Sequence, residues 1–186
     1  MLRTRHLPIL HRWTLILALS VLGYASAVPE ASAAQPIEWR SFETALAVAD
    51  ATDRWILVDI YAPWCGWCYK MKRETYPSVF EDRERPFVLT RLNRDDRDTM
   101  HRYRGRRLSS RQLAKELGAH GVPAVAILDA SGTLVFNVSG FIRPELLHNI
   151  LTYIRTEAYR TASFEAFQAS QSRRPEPHRT VSPDDD

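Results

Sequence analysis

The 186-residue sequence predicts an α/β fold, a central mixed sheet with helices on both faces. Three observations predict it. Trp55 to Tyr61 and Phe87 to Leu92 have the near-continuous apolar character of strands buried on both sides. A helix-compatible segment joins them, which is what a parallel crossover requires. Ala124 to Leu128 and Thr133 to Val138 then flank the turn Asp129-Ala130-Ser131-Gly132, a hairpin signature that adds an antiparallel pair.

The remaining elements follow from local chemistry. Ser41 is placed to cap a helix in which Phe42, Ala45, Leu46 and Ala49 share one face, and Asp53-Arg54 ends it. A second helix runs from Cys65 to about Tyr76, with Met71 and Tyr76 as core candidates. Pro77 breaks it, and Ser78 starts a further turn. Residues 94–111 are polar and arginine-rich, with Arg94, Arg97, Arg102, Arg104, Arg106, Arg107 and Arg111, and read as a loop. Such a run is either a solvated surface or a docking face for an acidic partner. Ser109 or Ser110 caps a helix through Leu117, which Gly118 ends. Pro144 opens the last helix, whose Leu146, Leu147, Ile150, Leu151 and Ile154 form a stripe. Periodicity fades after about Arg160, so residues 161–186 are expected to be a disordered tail.

The N-terminus predicts export. Arg3, Arg5 and Arg12 form a basic flank, and Trp13 to Tyr24 is almost wholly apolar. Two small-residue signatures follow, Ala25-Ser26-Ala27 and Ala31-Ser32-Ala33-Ala34. This is the layout of a secretory signal peptide over residues 1–34, cleaved within 27–34. The apolar run is short for a membrane span, which needs about 20 residues; an uncleaved anchor is the alternative. The formal net charge of +3 falls to +1 when residues 1–34 are removed, so charge gives no nucleic-acid signal. The expected compartment is a bacterial periplasm, where disulfides persist.

Both cysteines lie in one C-x-x-C, Cys65-Gly66-Trp67-Cys68. If Cys65 opens a helix, Cys68 lies one turn later on the same face. Free N–H groups and the positive end of the helix dipole then stabilise a thiolate. Such thiols titrate at about 3.5–7.5 instead of about 8.5. A purely structural bridge is disfavoured, because so short a loop restrains little entropy.

Together these residues resemble the thioredoxin superfamily. Ala62-Pro63-Trp64-Cys65-Gly66 reads like the active site of protein disulfide isomerase, and Leu57-Val58-Asp59 matches the thioredoxin strand that carries a buried acid. Gly121-Val122-Pro123 resembles the cis-proline loop, and Arg91-Leu92-Asn93 the end of the next core strand. Glu74-Thr75-Tyr76 is similar to the C-terminal domain of the transmembrane thiol:disulfide interchange reductase. The resemblance spans about Trp39 to Tyr159, within an expected domain of residues 35–160, and makes 94–111 an insertion of about ten residues.

The resemblance implies a protein-disulfide reductase without cofactor or metal. It makes Cys65 the exposed nucleophile, Cys68 the buried resolving thiol, and Asp59 the acid that helps Cys68 lose its proton. Val122 before a cis Pro123 presents backbone to an extended substrate; Trp64, Gly66 and Trp67 border the site. Trp67 stands where thioredoxin has proline and the isomerase histidine, and Arg73 replaces the proline that kinks thioredoxin's helix. The implied partners are oxidised exported proteins, among them cytochrome c maturation or sulfur-carrier proteins, with a membrane electron donor. The protein is expected to be a monomer. Rival readings are a disulfide oxidase or isomerase, a redox-silent chaperone, and a copper(I) module in which His120 joins the two sulfurs. His101, His120 and His148 show no ligand spacing with the cysteines.

Overall fold

The computed structural model describes residues 37–80 and 86–173. The expected signal segment, residues 1–34, lies outside the described residues. Strands β1 (Trp55–Tyr61), β2 (Phe87–Asn93), β5 (Ala124–Leu128) and β6 (Leu134–Ser139) form one sheet in the order β2-β1-β5-β6. β1 pairs in parallel with β2 and antiparallel with β5, and β5 pairs antiparallel with β6, which makes the sheet mixed.

The sheet separates two cores because side chains alternate along a strand. Ile56, Val58 and Ile60 of β1 face α1 (Phe42–Thr52) and α4 (Ser110–Glu116). Leu57 faces the opposite core, built from Met71, Tyr76 and α5 (Pro144–Arg155). Asp59 shares the parity of Leu57 and therefore points toward Tyr76. Local signals set the helix ends as expected. The Ser41 side chain accepts from the Thr44 N–H, and Ser109 forms a capping box with Gln112. Pro144 opens α5. Gly118 ends α4 at φ +77°, and a Cβ there would strike the Asn137 amide.

Three expectations are corrected. First, residues 94–111 are not an open loop. β3 (Met100–Tyr103) and β4 (Arg106–Ser109) form a two-stranded hairpin. Its turn is Arg104-Gly105, with φ of 50° and 77°, the positive angles that suit the right-handed twist of a hairpin. His101, Tyr103 and Leu108 turn inward while the arginines between them stay exposed. His101 Nδ1 lies 3.1 Å from Glu43 Oε1 and Nε2 lies 2.8 Å from Ser110 Oγ. These distances are those of a nucleophile triad. Ser110 is only 3% exposed, however, so the three residues tie hairpin, α1 and α4 together and present no hydroxyl to a substrate.

Second, the expected tail begins too early. α6 (Phe164–Ser172) is capped by Ser163 and docks through Phe164 and Phe167 onto Tyr153, at ring separations of 5.3 Å for both. Residues 174–186 lie outside the described residues. Third, Pro77 does not break the active-site helix. α2 (Gly66–Lys70) continues into a π-helical turn (Met71–Thr75) and then α3 (Tyr76–Val79). The Tyr76 N–H donates to Met71 C=O, one residue further back than in an α-helix. That wide turn carries the chain past the proline, which has no N–H to donate and whose ring crowds the preceding turn. No helix among the described residues is long and apolar enough to cross a membrane.

Candidate active site

β1 delivers the chain to the loop Ala62-Pro63-Trp64, and α2 starts immediately after Cys65. Cys65 is the N-cap, with extended φ −83° and ψ 99°. The Cys68 N–H donates to Cys65 Sγ at 3.0 Å. A free helix N–H thus points at the sulfur that must carry negative charge, a contact that strengthens when the sulfur is ionised. The two cysteines form a disulfide, with sulfurs 2.04 Å and Cα atoms 5.3 Å apart. Cys65 is 6% exposed and Cys68 3%. Cys65 is therefore enclosed where an exposed thiol was expected, although it is the more open of the two.

Val122 packs against the cluster of Ala62, Cys65 and Cys68, and the Val122–Pro123 peptide is cis. The Pro123 C=O accepts from the Gly140 N–H at 2.7 Å. Val122 lies just outside β5, at the end where Ala124 pairs with Ile60 of β1. Gly66 is exposed, and a Cβ there would meet nothing within 4 Å.

Trp64 is 71% exposed, so it is not a core residue. Its Nε1 donates to Asp95 Oδ2 at 2.6 Å, which fixes the loop to the segment after β2. Trp67 is 58% exposed and lies 5.2 Å from the Phe141 ring, with Lys70 Nζ within 5.5 Å of both rings. Phe141 and Lys70 were not legible as site residues, because Phe141 is distant in sequence and Lys70 reads as an ordinary helix lysine.

Asp59 is buried at 1% exposure, and both its carboxylate oxygens are paired. The Tyr76 hydroxyl donates to Oδ1 at 2.6 Å and Arg91 Nε donates to Oδ2 at 2.7 Å. Burial raises the Asp59 pKa, and the Arg91 charge and the hydrogen bonds from Tyr76 and Arg91 act against that rise. Burial, with Asp59 alongside, pushes the Tyr76 pKa well up, so the shared proton stays on the phenol. The Arg91 guanidinium lies 4.2 Å from the Tyr61 ring centre and 5.2 Å from that of Trp39. The parallel register sets Arg91 directly beside Asp59. A cavity of about 150 Å³ has Cys65, Cys68, Tyr61, Lys72 and Arg91 in its wall. Arg91 lines this cavity, and Asp59 lies behind it.

Among the described residues, no group of three or more His, Cys, Asp or Glu side chains is placed to hold a metal ion. His101 is committed to Glu43 and Ser110, and His120 and His148 are exposed.

Fold and dithiol define the class of the thioredoxin-like thiol–disulfide oxidoreductases. A family model described as a thioredoxin-like domain matches residues 42–155, more than half of the chain, and the chain belongs to that family. It is 26% identical over 153 residues to a protein disulfide-isomerase of Ricinus communis, across 78% of this chain and 27% of that one. It is 29% identical over 96 residues to a thioredoxin of Porphyra purpurea, across 52% of this chain and 76% of that one. The chain spans between 18% and 27% of the length of the curated disulfide isomerases it matches. A thioredoxin-fold protein from Helicobacter pylori shares the fold with a TM-score of 0.52 at 15% identity, over 70% of this chain and 97% of that one.

Proposed function

We propose that the protein is an exported, periplasmic protein-disulfide reductase. The observation that carries this reading is the Cys65–Cys68 disulfide at a helix start, with a helix N–H on Cys65 Sγ and Val122 alongside. In the dithiol form, the Cys65 thiolate attacks a partner disulfide. One partner sulfur leaves and takes a proton, and a mixed disulfide forms. Cys68 loses its proton, attacks Cys65 Sγ and releases the second partner thiol. Two electrons and two protons pass to the partner, and the pair ends as the disulfide. A membrane dithiol donor restores it. Asp59 and Arg91 set the field in which Cys68 ionises, and Val122 pairs with the extended substrate backbone. The substrates are oxidised exported proteins, including cytochrome c maturation or sulfur-carrier proteins.

Two cysteine variants test the roles. Cys65→Ser abolishes insulin disulfide reduction, and Cys68→Ser accumulates mixed disulfides with partners. Trapping by Cys65→Ser instead would reverse the assignment. The similarity to disulfide isomerases favours a second reading, oxidation or isomerisation. The reduction potential decides: a value near about −270 mV fits a reductant and one near about −120 mV an oxidant.

A further inference from the structure

We propose that the outer face of the β3–β4 hairpin is a docking surface for the acidic face of a protein partner. The proposal extends the reductase reading by naming the surface chemistry of the substrate protein, and for the identity of that partner it rests on it.

Residues 97–111 hold six arginines and one aspartate, a net +5. The register places Arg102 directly opposite Arg107, and both are exposed. Like charges directly opposite on one face destabilise a strand pair. No carboxylate among the described residues pairs with the guanidinium of Arg97, Arg102, Arg104, Arg107 or Arg111, whereas that of Arg106 meets Glu116 at 3.2 Å; from Arg102, Glu43 accepts only the backbone N–H. Arg104 occupies a left-handed turn position at φ 50°, where glycine, asparagine or aspartate is preferred. Arginine therefore stands at three positions of this hairpin against local electrostatic or backbone preference. A planar fork that grips carboxylates in pairs of hydrogen bonds explains that choice.

The array is held rigid. His101 bonds to α1 and α4, and the Tyr103 hydroxyl donates to the Gly132 C=O at 2.9 Å. One end of the hairpin adjoins the redox loop. The Arg111 N–H donates to the Asp96 C=O, and the neighbouring Asp95 holds Trp64. The tip instead reaches Gly132, in the turn that follows β5, away from Pro123. The seven residue steps from Asp95 to Arg102 span at most about 25 Å. A footprint of about 800 Å² is of similar width, so one folded partner bridges Cys65 and the arginines. A lipid surface would call for apolar residues among the cations, and on this hairpin only Met100 is exposed and apolar.

Two synthetic peptides test this. Each carries the same single disulfide and a flexible linker, followed by an octaglutamate or an octaglutamine tail. The reduced protein is expected to reduce the glutamate peptide about tenfold faster at low ionic strength, the ratio falling toward one at about 0.5 M salt. Arg102→Glu with Arg107→Glu removes or inverts the preference. Arg102→Gln with Arg107→Gln, which adds no repulsion, weakens it. Both leave the rate on the glutamine peptide unchanged. A wild-type ratio of one, or a ratio the variants do not alter, overturns the proposal. Anisotropy of a labelled, cysteine-free octaglutamate peptide reads docking without redox chemistry. If that peptide binds while neither disulfide is reduced, the reductase reading fails and the docking face stands. Cosedimentation with phosphatidylglycerol vesicles that the double variants abolish, without any glutamate preference, would assign the face to lipid and overturn the proposal.

Discussion

Tyr76→Phe isolates the hydrogen bond that the buried acid receives from the helix. Tyr76 is fully buried and its hydroxyl lies 2.6 Å from Asp59 Oδ1. A hydrogen bond to a charged group contributes about 1.5–3 kcal/mol, against about 1 kcal/mol for a neutral pair. With Asp59 ionised, the variant should lose about 1.5–3 kcal/mol, or roughly 5–12 °C in Tm. The pH dependence has a definite sign. The Asp59 pKa is raised above its ordinary 3.8, so the folded state binds this proton more tightly than the unfolded chain does. The associated stability is present below about pH 4 and is lost as pH rises through the folded pKa. Removing the phenol raises that pKa further and widens the loss. The deficit of Tyr76→Phe should therefore be small, about 1 kcal/mol, in acid and grow as pH rises through the folded Asp59 pKa. Urea unfolding of both proteins across this range measures it. A deficit that stays constant with pH would show that Tyr76 supports packing only, and that the carboxylate does not depend on it.

Arg91→Gln removes the cation on the other oxygen and should cost about 3 kcal/mol, the low end for breaking a buried pair, because Arg91 is 21% exposed. The loss should steepen above about pH 4 in urea titrations, and insulin reduction at neutral pH should slow. Phe167→Ala tests α6 as part of the domain. Loss of a ring packed on Tyr153 should lower stability by about 3 kcal/mol in thermal unfolding, whereas a dispensable tail would show no change. Gly118→Ala forces a Cβ into a φ of +77° and against the Asn137 amide, and should destabilise by more than about 1 kcal/mol in urea unfolding.

Local order was legible wherever one segment carries its own signal. Trp55–Tyr61 was readable as a strand to the residue, because its apolar run is bounded on both sides. The Ser41 cap, a cap at Ser109 or Ser110, the Gly118 stop and Pro144 were readable because each acts within one turn. Placing Cys65 at a helix start needed only the sequence, and so did the burial of Asp59 within its strand.

Hidden elements failed for a shared reason: their signals are weak without partners. The hairpin offers only His101, Tyr103 and Leu108 to the core between arginines, and α6 offers two phenylalanines. Neither pattern exceeds a polar loop until α1 or Tyr153 is there to receive it. The site divides along the same line. Spacing put the two cysteines one helical turn apart, and the resemblance to thioredoxins put a buried acid in the strand before them. Only the tertiary structure decided that Arg91, beside Asp59 through parallel register, and Tyr76, seventeen residues along on a helix carried past Pro77 by a π turn, hold that acid between them. A buried charge is settled by what surrounds it in space, and chain order does not encode which strand edge or helix face arrives there.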